Sequence, residues 1–198
     1  MRSPGNMRLI QIAQAGAPGV ASPGAGFEQP FEMLAACHER VERMLDLLVK
    51  LRRHLQAHGA DEQARQAARD VMRYFDLAAP LHHQDEEIHV FPVLMARGDA
   101  ALSALVQRLL RDHRDMESAW TRVRAVLDAV AGGLDALDDR QVSALDDFAA
   151  LYARHLRDED STAYPGAMAL IAPDALHTMA EDMMVRRGVT PLVLPRAQ

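Results

Sequence analysis

Four histidines stand at equal distances from the turns between them, and that spacing narrows the chain to one kind of architecture. His38 is 21 residues before Gly59 and His82 is 21 after Asp61; His113 is 21 before Leu134 and His155 is 21 after it. The turn signals are local ones. Gly59 stops one helical pattern, Asp61 can cap the next, and Gly132-Gly133 stops a third. At about 1.5 Å of rise per residue, equal travel out and back returns all four histidines to one level of an antiparallel bundle. Four long helices with short connections are expected to run up-down-up-down.

The breaks along the chain divide it further. Helical patterns run from 31 to 58, from Asp61 to 96, from 99 to 131 and from 138 to 171. Pro80 is expected to kink the second helix, and Pro92 and Pro165 to disturb the second and fourth near their ends. Residues 1–28 carry Pro4, Pro18, Pro23 and several glycines with little periodicity, and read as a loose N-terminal arm. The bundle is expected over 29–172, followed over 173–198 by a short C-terminal helix opened by Pro173 and an extended tail. The fold class is therefore all-α. Composition agrees: hydrophobic residues make up 49% but aromatics only 5%, which favours packed helices over sheets.

Composition also excludes some functions. A net charge of −6, with basic residues interspersed among acids, argues against a nucleic-acid binder. Cys37 is the only cysteine, so no internal disulfide and no cysteine-based zinc site can form. One free thiol fits a reducing compartment. No apolar run approaches the roughly 18 residues of a membrane span. The start, Leu9-Ile10-Gln11-Ile12, resembles a weak signal peptide interrupted by Gln11 and Gln14. A cytoplasmic protein, monomer or homodimer, with neither nucleic-acid nor membrane partners is expected.

Chemistry enters with a phrase written twice. His82-x-x-x-Glu86 runs into Phe91-Pro92, and His155-x-x-x-Glu159 runs into Tyr164-Pro165. Each copy has a second acid directly after its glutamate, Glu87 and Asp160. On a helix, residues four apart lie about 40° apart around the axis, so each His shares a face with its Glu. The same face of the second helix holds Val71, Phe75, His89 and Val93; that of the fourth holds Ala144, Phe148, Leu151, Thr162 and Gly166. His38 and His113 likewise interrupt apolar stripes, Phe31-Leu34-Leu45-Val49 and Leu102-Val106-Leu109-Trp120-Leu127. Four histidines and two carboxylates at one buried level would be costly without a cation, because buried charges must be paired or coordinated. Imidazole beside carboxylate suits a borderline metal such as iron. The halves also repeat as units, His38 to His113 at an offset of 75 and His82 to His155 at 73.

These residues resemble the hemerythrin-like family, also called HHE cation-binding domains: a His in a first helix, then His-x-x-x-Glu-Glu running into Phe-Pro, repeated once. The likeness covers roughly residues 31–172. It implies a four-helix bundle around a non-haem centre of two iron ions. His38, His82, His113 and His155 would be terminal ligands, and Glu86 and Glu159 would bridge the irons. The chain departs from the oxygen-carrying hemerythrins at Glu117, where they have a second His on the third helix. Their last carboxylate is an Asp one position later, where Asp160 stands; Glu159 mirrors Glu86 and is the expected ligand.

Other residues take plainer readings. His83 lies about 100° round from the stripe and is expected on a helix flank; some family members use this neighbouring position as an extra ligand. His89 is placed on the stripe, beside or lining the site. Glu42 and Glu117 are read as the hydrated edge of a stripe. Tyr152 and Cys37 are expected in the core, and Met179, Met183 and Met184 on a helix packed against the bundle. His54, His58 and His177 fall outside the pattern. Three functions remain open: a di-iron protein that binds or senses oxygen, nitric oxide or iron; a di-iron enzyme acting on peroxide or in nitrosative and oxidative stress; and a structural clamp for a cation such as zinc.

Overall fold

The structure, a computed structural model, describes residues 26–190. The loose arm expected over 1–28, including the signal-like start, falls outside them up to residue 25, as does the tail from 191. Among the described residues there is no strand. Four long helices form the bundle: α1 (Pro30–His58), α2 (Glu62–Asp85), α4 (Ala100–Ala131) and α5 (Asp139–Asp158). Two short helices, α3 (Phe91–Ala96) and α6 (Tyr164–Met168), extend α2 and α5, and α7 (Pro173–Arg186) packs back on the bundle.

Aspartates start three of the four long helices. Asp61 accepts from the Ala64 amide, Asp99 from the amides of Ala101 and Leu102, and Asp138 forms a capping box with Gln141. Each cap satisfies amides that the first helical turn leaves unpaired, worth about 1 kcal/mol. Gly59 ends α1 in the left-handed region at φ 70°. The next amide, Ala60, is held by Asp135 at 3.0 Å, so the α1–α2 turn is tied to the α4–α5 connection at the same end of the bundle.

The prolines act differently from one another. α2 continues through Pro80 as one helix. Before Pro92 and Pro165, by contrast, the backbone widens into one π-helical turn, Glu86–Val90 and Glu159–Ala163. Phe91 N–H reaches back to the Glu86 carbonyl and Tyr164 N–H to the Glu159 carbonyl, five residues rather than four. A proline lacks the amide for the regular ladder and its ring crowds the carbonyl four residues earlier, and the wider turn relieves that crowding.

Each wide turn sets the following residues back by about one position. The stripe expected to continue through His89, Val93, Thr162 and Gly166 is therefore corrected. Thr162 is exposed, and the fully buried residues are Val90, Phe91 and Leu94 in one half and Ala163, Tyr164 and Ala167 in the other. His89 turns toward α7 and pairs with Asp182 at 3.0 Å. At the same end α6 approaches α3 closely, where a Cβ on Gly166 would stand 3.1 Å from Leu94 Cδ2.

The core falls into two apolar clusters. One fills the bundle around Leu48, Val71, Phe75, Val123, Leu127 and Phe148. The other, around Leu34, Phe91, Leu94, Leu109, Met179 and Met183, lies under α3, α6 and α7. α7 is held by charge as well. Asp85, fully buried, receives Arg186 at 2.7 Å and Arg187 at 2.7 Å. A buried polar layer separates the two clusters.

Candidate metal centre

That layer contains all six residues expected from the sequence. His38, His82, His113, His155, Glu86 and Glu159 are each at most 4% exposed. They form two groups whose donor atoms lie within 4.8 Å of one another: His38, His82, Glu86 and Glu159, and His113, His155, Glu86 and Glu159. The glutamates belong to both. Glu86 Oε1 lies 3.3 Å from His82 Nε2, and its Oε2 lies 3.4 Å from His113 Nε2. Glu159 Oε1 lies 3.1 Å from His155 Nε2, and its Oε2 lies 3.3 Å from His38 Nε2. Both glutamates open a π-turn, so the same distortion that accommodates the prolines begins at the shared carboxylates. Such turns concentrate at functional sites.

His83 also joins the layer, contrary to the flank expected. Its ring stacks on His113 at 3.9 Å with 10° between planes, and its donor atom groups with those of His113 and His155. The adjacent His82-His83 pair was the available signal. Neighbours on an ideal helix lie about 100° apart, but a site spanning two groups is wide enough to receive both.

The acids after each glutamate brace the opposite half. Asp160 accepts from His38 Nδ1 at 2.8 Å, and Glu87 accepts from His113 Nδ1 at 2.8 Å. A carboxylate acceptor fixes the proton on Nδ1 and leaves the Nε2 lone pair facing the interior, the tautomer a metal ligand needs. The sequence contained both acids in register without indicating which helix each would reach. His155 Nδ1 has a looser neighbour, Asp112 at 3.6 Å, itself held by Arg154.

The halves differ at the aromatic of the phrase. Phe91 stacks on His113 at 5.6 Å, and Tyr164 stacks on His38 at 5.1 Å. Tyr164 adds a hydroxyl, which donates to Glu86 Oε1 at 2.5 Å and lies 2.9 Å from His38 Nε2. Other candidates stay away from the cluster. Glu42 and Glu117 are exposed, and Tyr152 packs on Phe75 and Phe148 in the core. The Cys37 thiol pairs with the Tyr74 hydroxyl at 3.3 Å, and burial pushes it up to about 11. His54 pairs with Asp61 and His177 with Glu181.

Electrostatics mark the layer as built for positive charge. Burial works against protonated His38, yet Asp160, Glu159 and Glu86 outweigh it and push its pKa up to about 10. Burial is likewise overcome at His113 by Glu159 and Glu86, again to about 10. His82 and His83 go the other way, held well below the usual histidine range by burial and by neighbouring imidazoles. Burial and the Glu159 charge raise Glu86. The surrounding imidazoles overcome burial to hold Glu159 well below the usual carboxylate range. Burial and the two glutamates keep the Tyr164 phenol protonated.

The donor set fits a cation. Glu86 Oε2, His113 Nε2, His155 Nε2 and both Glu159 carboxylate oxygens are buried without a hydrogen-bond partner among the described residues. Each such group costs about 1–3 kcal/mol when left unsatisfied. All of them converge on the two groups of donors, where a metal would satisfy them together.

A cleft of about 380 Å³ reaches this layer from one side, between α2 and α4. Buried or half-buried Phe75, His83, His113, Trp120 and Tyr152 line it, together with the exposed Gln84, Glu87, Arg114 and Glu117.

Residues 29–167 match the hemerythrin HHE cation binding domain, and the chain belongs to that family. An uncharacterized protein of Haemophilus influenzae is 30% identical over 165 residues, 83% of this chain and 94% of the relative. The buried His/Glu layer is this chain's candidate for the cation site that the family's description names. No described helix is long and apolar enough to cross a membrane.

Proposed function

We propose that this chain is a non-haem di-iron protein that binds or senses a small ligand such as oxygen or nitric oxide. The observation that supports it most is the sharing of Glu86 and Glu159 between two donor groups, an arrangement that suits a bridged pair of cations better than one. His38 and His82 would hold one iron; His83, His113 and His155 would hold the other; the glutamates would lie between. Mixed imidazole and carboxylate donors suit iron, where a purely oxygen shell would suit magnesium or calcium. When bound, iron supplies redox change and affinity for a diatomic ligand.

The protein's own residues do the rest. Asp160 and Glu87 hold His38 and His113 with Nε2 inward. In the metal-free chain Tyr164 donates to Glu86 Oε1 and fixes the orientation of that carboxylate. The apolar clusters above and below limit water, and the cleft between α2 and α4 reaches the layer beside His83 and His113.

Metal analysis of protein prepared without added chelator is expected to give two irons per chain. Anaerobic titration of the reduced protein with oxygen, then separately with nitric oxide, is expected to give a reversible visible band. Stable zinc with no oxygen-dependent spectrum would instead identify a structural clamp. Peroxide turnover abolished by Glu86→Ala would identify an enzyme.

A further inference from the structure

We propose that Tyr164 is itself a metal ligand, binding through its phenolate oxygen the cation held by His38 and His82; this rests on the di-iron reading above. At metal–donor distances of about 2.1 Å, neighbouring donors of an octahedron lie about 3.0 Å apart and opposite ones about 4.2 Å apart. The donors of this group follow those spacings. His38 Nε2 is 3.0 Å from His82 Nε2, 3.3 Å from Glu159 Oε2 and 3.9 Å from Glu86 Oε1. The Tyr164 oxygen stands 2.9 Å from His38 Nε2, an adjacent-donor spacing, and 2.5 Å from Glu86 Oε1, a hydrogen bond that would lengthen by about 0.5 Å once the phenol gave up its proton to a cation held there.

A residue that merely oriented Glu86 would have no need to reach His38 Nε2 as well. Tyr164 reaches both because its ring stacks on His38 with only 20° between planes, and because the wide turn before Pro165 swings it inward to 4% exposure. Its counterpart in the other half, Phe91, has no donor atom. There the extra donor is His83, whose counterpart is Leu156. Each cation thus gains one ligand that the two halves do not share, an imidazole on one side and a phenol on the other. On binding, the phenol releases its proton to solvent and becomes an anionic oxygen donor, a hard ligand that favours ferric over ferrous iron.

The test is spectroscopic. Ferric phenolate ligation produces a visible charge-transfer band and resonance-enhanced phenolate ring vibrations, neither of which histidine or glutamate can give. The chain has three tyrosines, Tyr74, Tyr152 and Tyr164. Iron-loaded oxidised protein is expected to show both signals, which should survive in Tyr74→Phe and Tyr152→Phe. In Tyr164→Phe they should vanish while two irons per chain remain. Should Tyr164→Phe fail to fold, the wild type and the other two variants still assign the band by elimination.

Two irons without a phenolate signal would overturn the proposal and leave the di-iron reading standing. So would a signal that persists in Tyr164→Phe or vanishes in either other variant. Protein that retains no iron overturns both.

Discussion

Glu87 and Asp160 are about half exposed, yet they govern two buried imidazoles: Asp160 on α5's π-turn steers His38 of α1, and Glu87 on α2's steers His113 of α4. Removing either acid leaves the ring free to rotate and to change tautomer. Glu87→Ala and Asp160→Ala are each expected to weaken metal binding about 10–100-fold, measured by competition with a chelator, without unfolding the bundle. Glu159→Ala removes a carboxylate common to both groups and should lose at least one metal per chain by elemental analysis; retention of both would rule out its bridging role. Six residues of this centre were legible in the sequence because the four-residue helical interval and the distances to the turns are both simple arithmetic. His83 and the cross-half braces were not. They depend on where a side chain ends, and a helical angle describes only where it begins.

At the next scale, the two π-turns carry the largest departure from expectation. A constant helical period projects His89 and Thr162 inward; one wide turn before each proline substitutes Val90 with Phe91 and Ala163 with Tyr164. Pro92 and Pro165 announced a disturbance, but proline chemistry permits a kink, a break or a wider turn, and only the packing of α3 against α6 selects among them. α7 is joined to the first wide turn by charge. Asp85 precedes Glu86 and is bound by Arg186 and Arg187 from α7. Asp85→Ala would leave two guanidinium groups without their buried partner. It is expected to cost about 3 kcal/mol and lower Tm by roughly 6–12 °C in thermal unfolding. The Met-rich composition suggested that this segment packs; the arginines that fix it follow the last methionine and gave no periodic signal.

For the molecule as a whole, the polar layer couples folding to pH and to metal. His38 and His113 have folded pKa values of about 10 against an ordinary value of 6.5. Without metal, the folded chain keeps protons that the unfolded chain has released. That contribution is complete below pH 6.5 and is lost as pH rises toward 10. The metal-free protein is therefore expected to lose thermal stability steadily between pH 7.5 and 9, as read by circular dichroism. The opposite slope would show that these imidazoles are neutral in the folded chain. With metal bound, the cation replaces those protons, so the decline should flatten and metal affinity should rise over the same range. Calorimetry in buffers of different ionisation enthalpy should register the released protons.

The near two-fold repetition has a further consequence. Two identical hairpins, meeting about an axis, would be obliged to treat both cations alike. One continuous chain is under no such obligation. At Phe91 and Tyr164, and again at His83 and Leu156, its halves have diverged where they touch the centre. Cations held there would meet unlike surroundings: imidazoles of His83, His113 and His155 on the side of the cleft, and the phenol of Tyr164 beside His38 and His82 on the other.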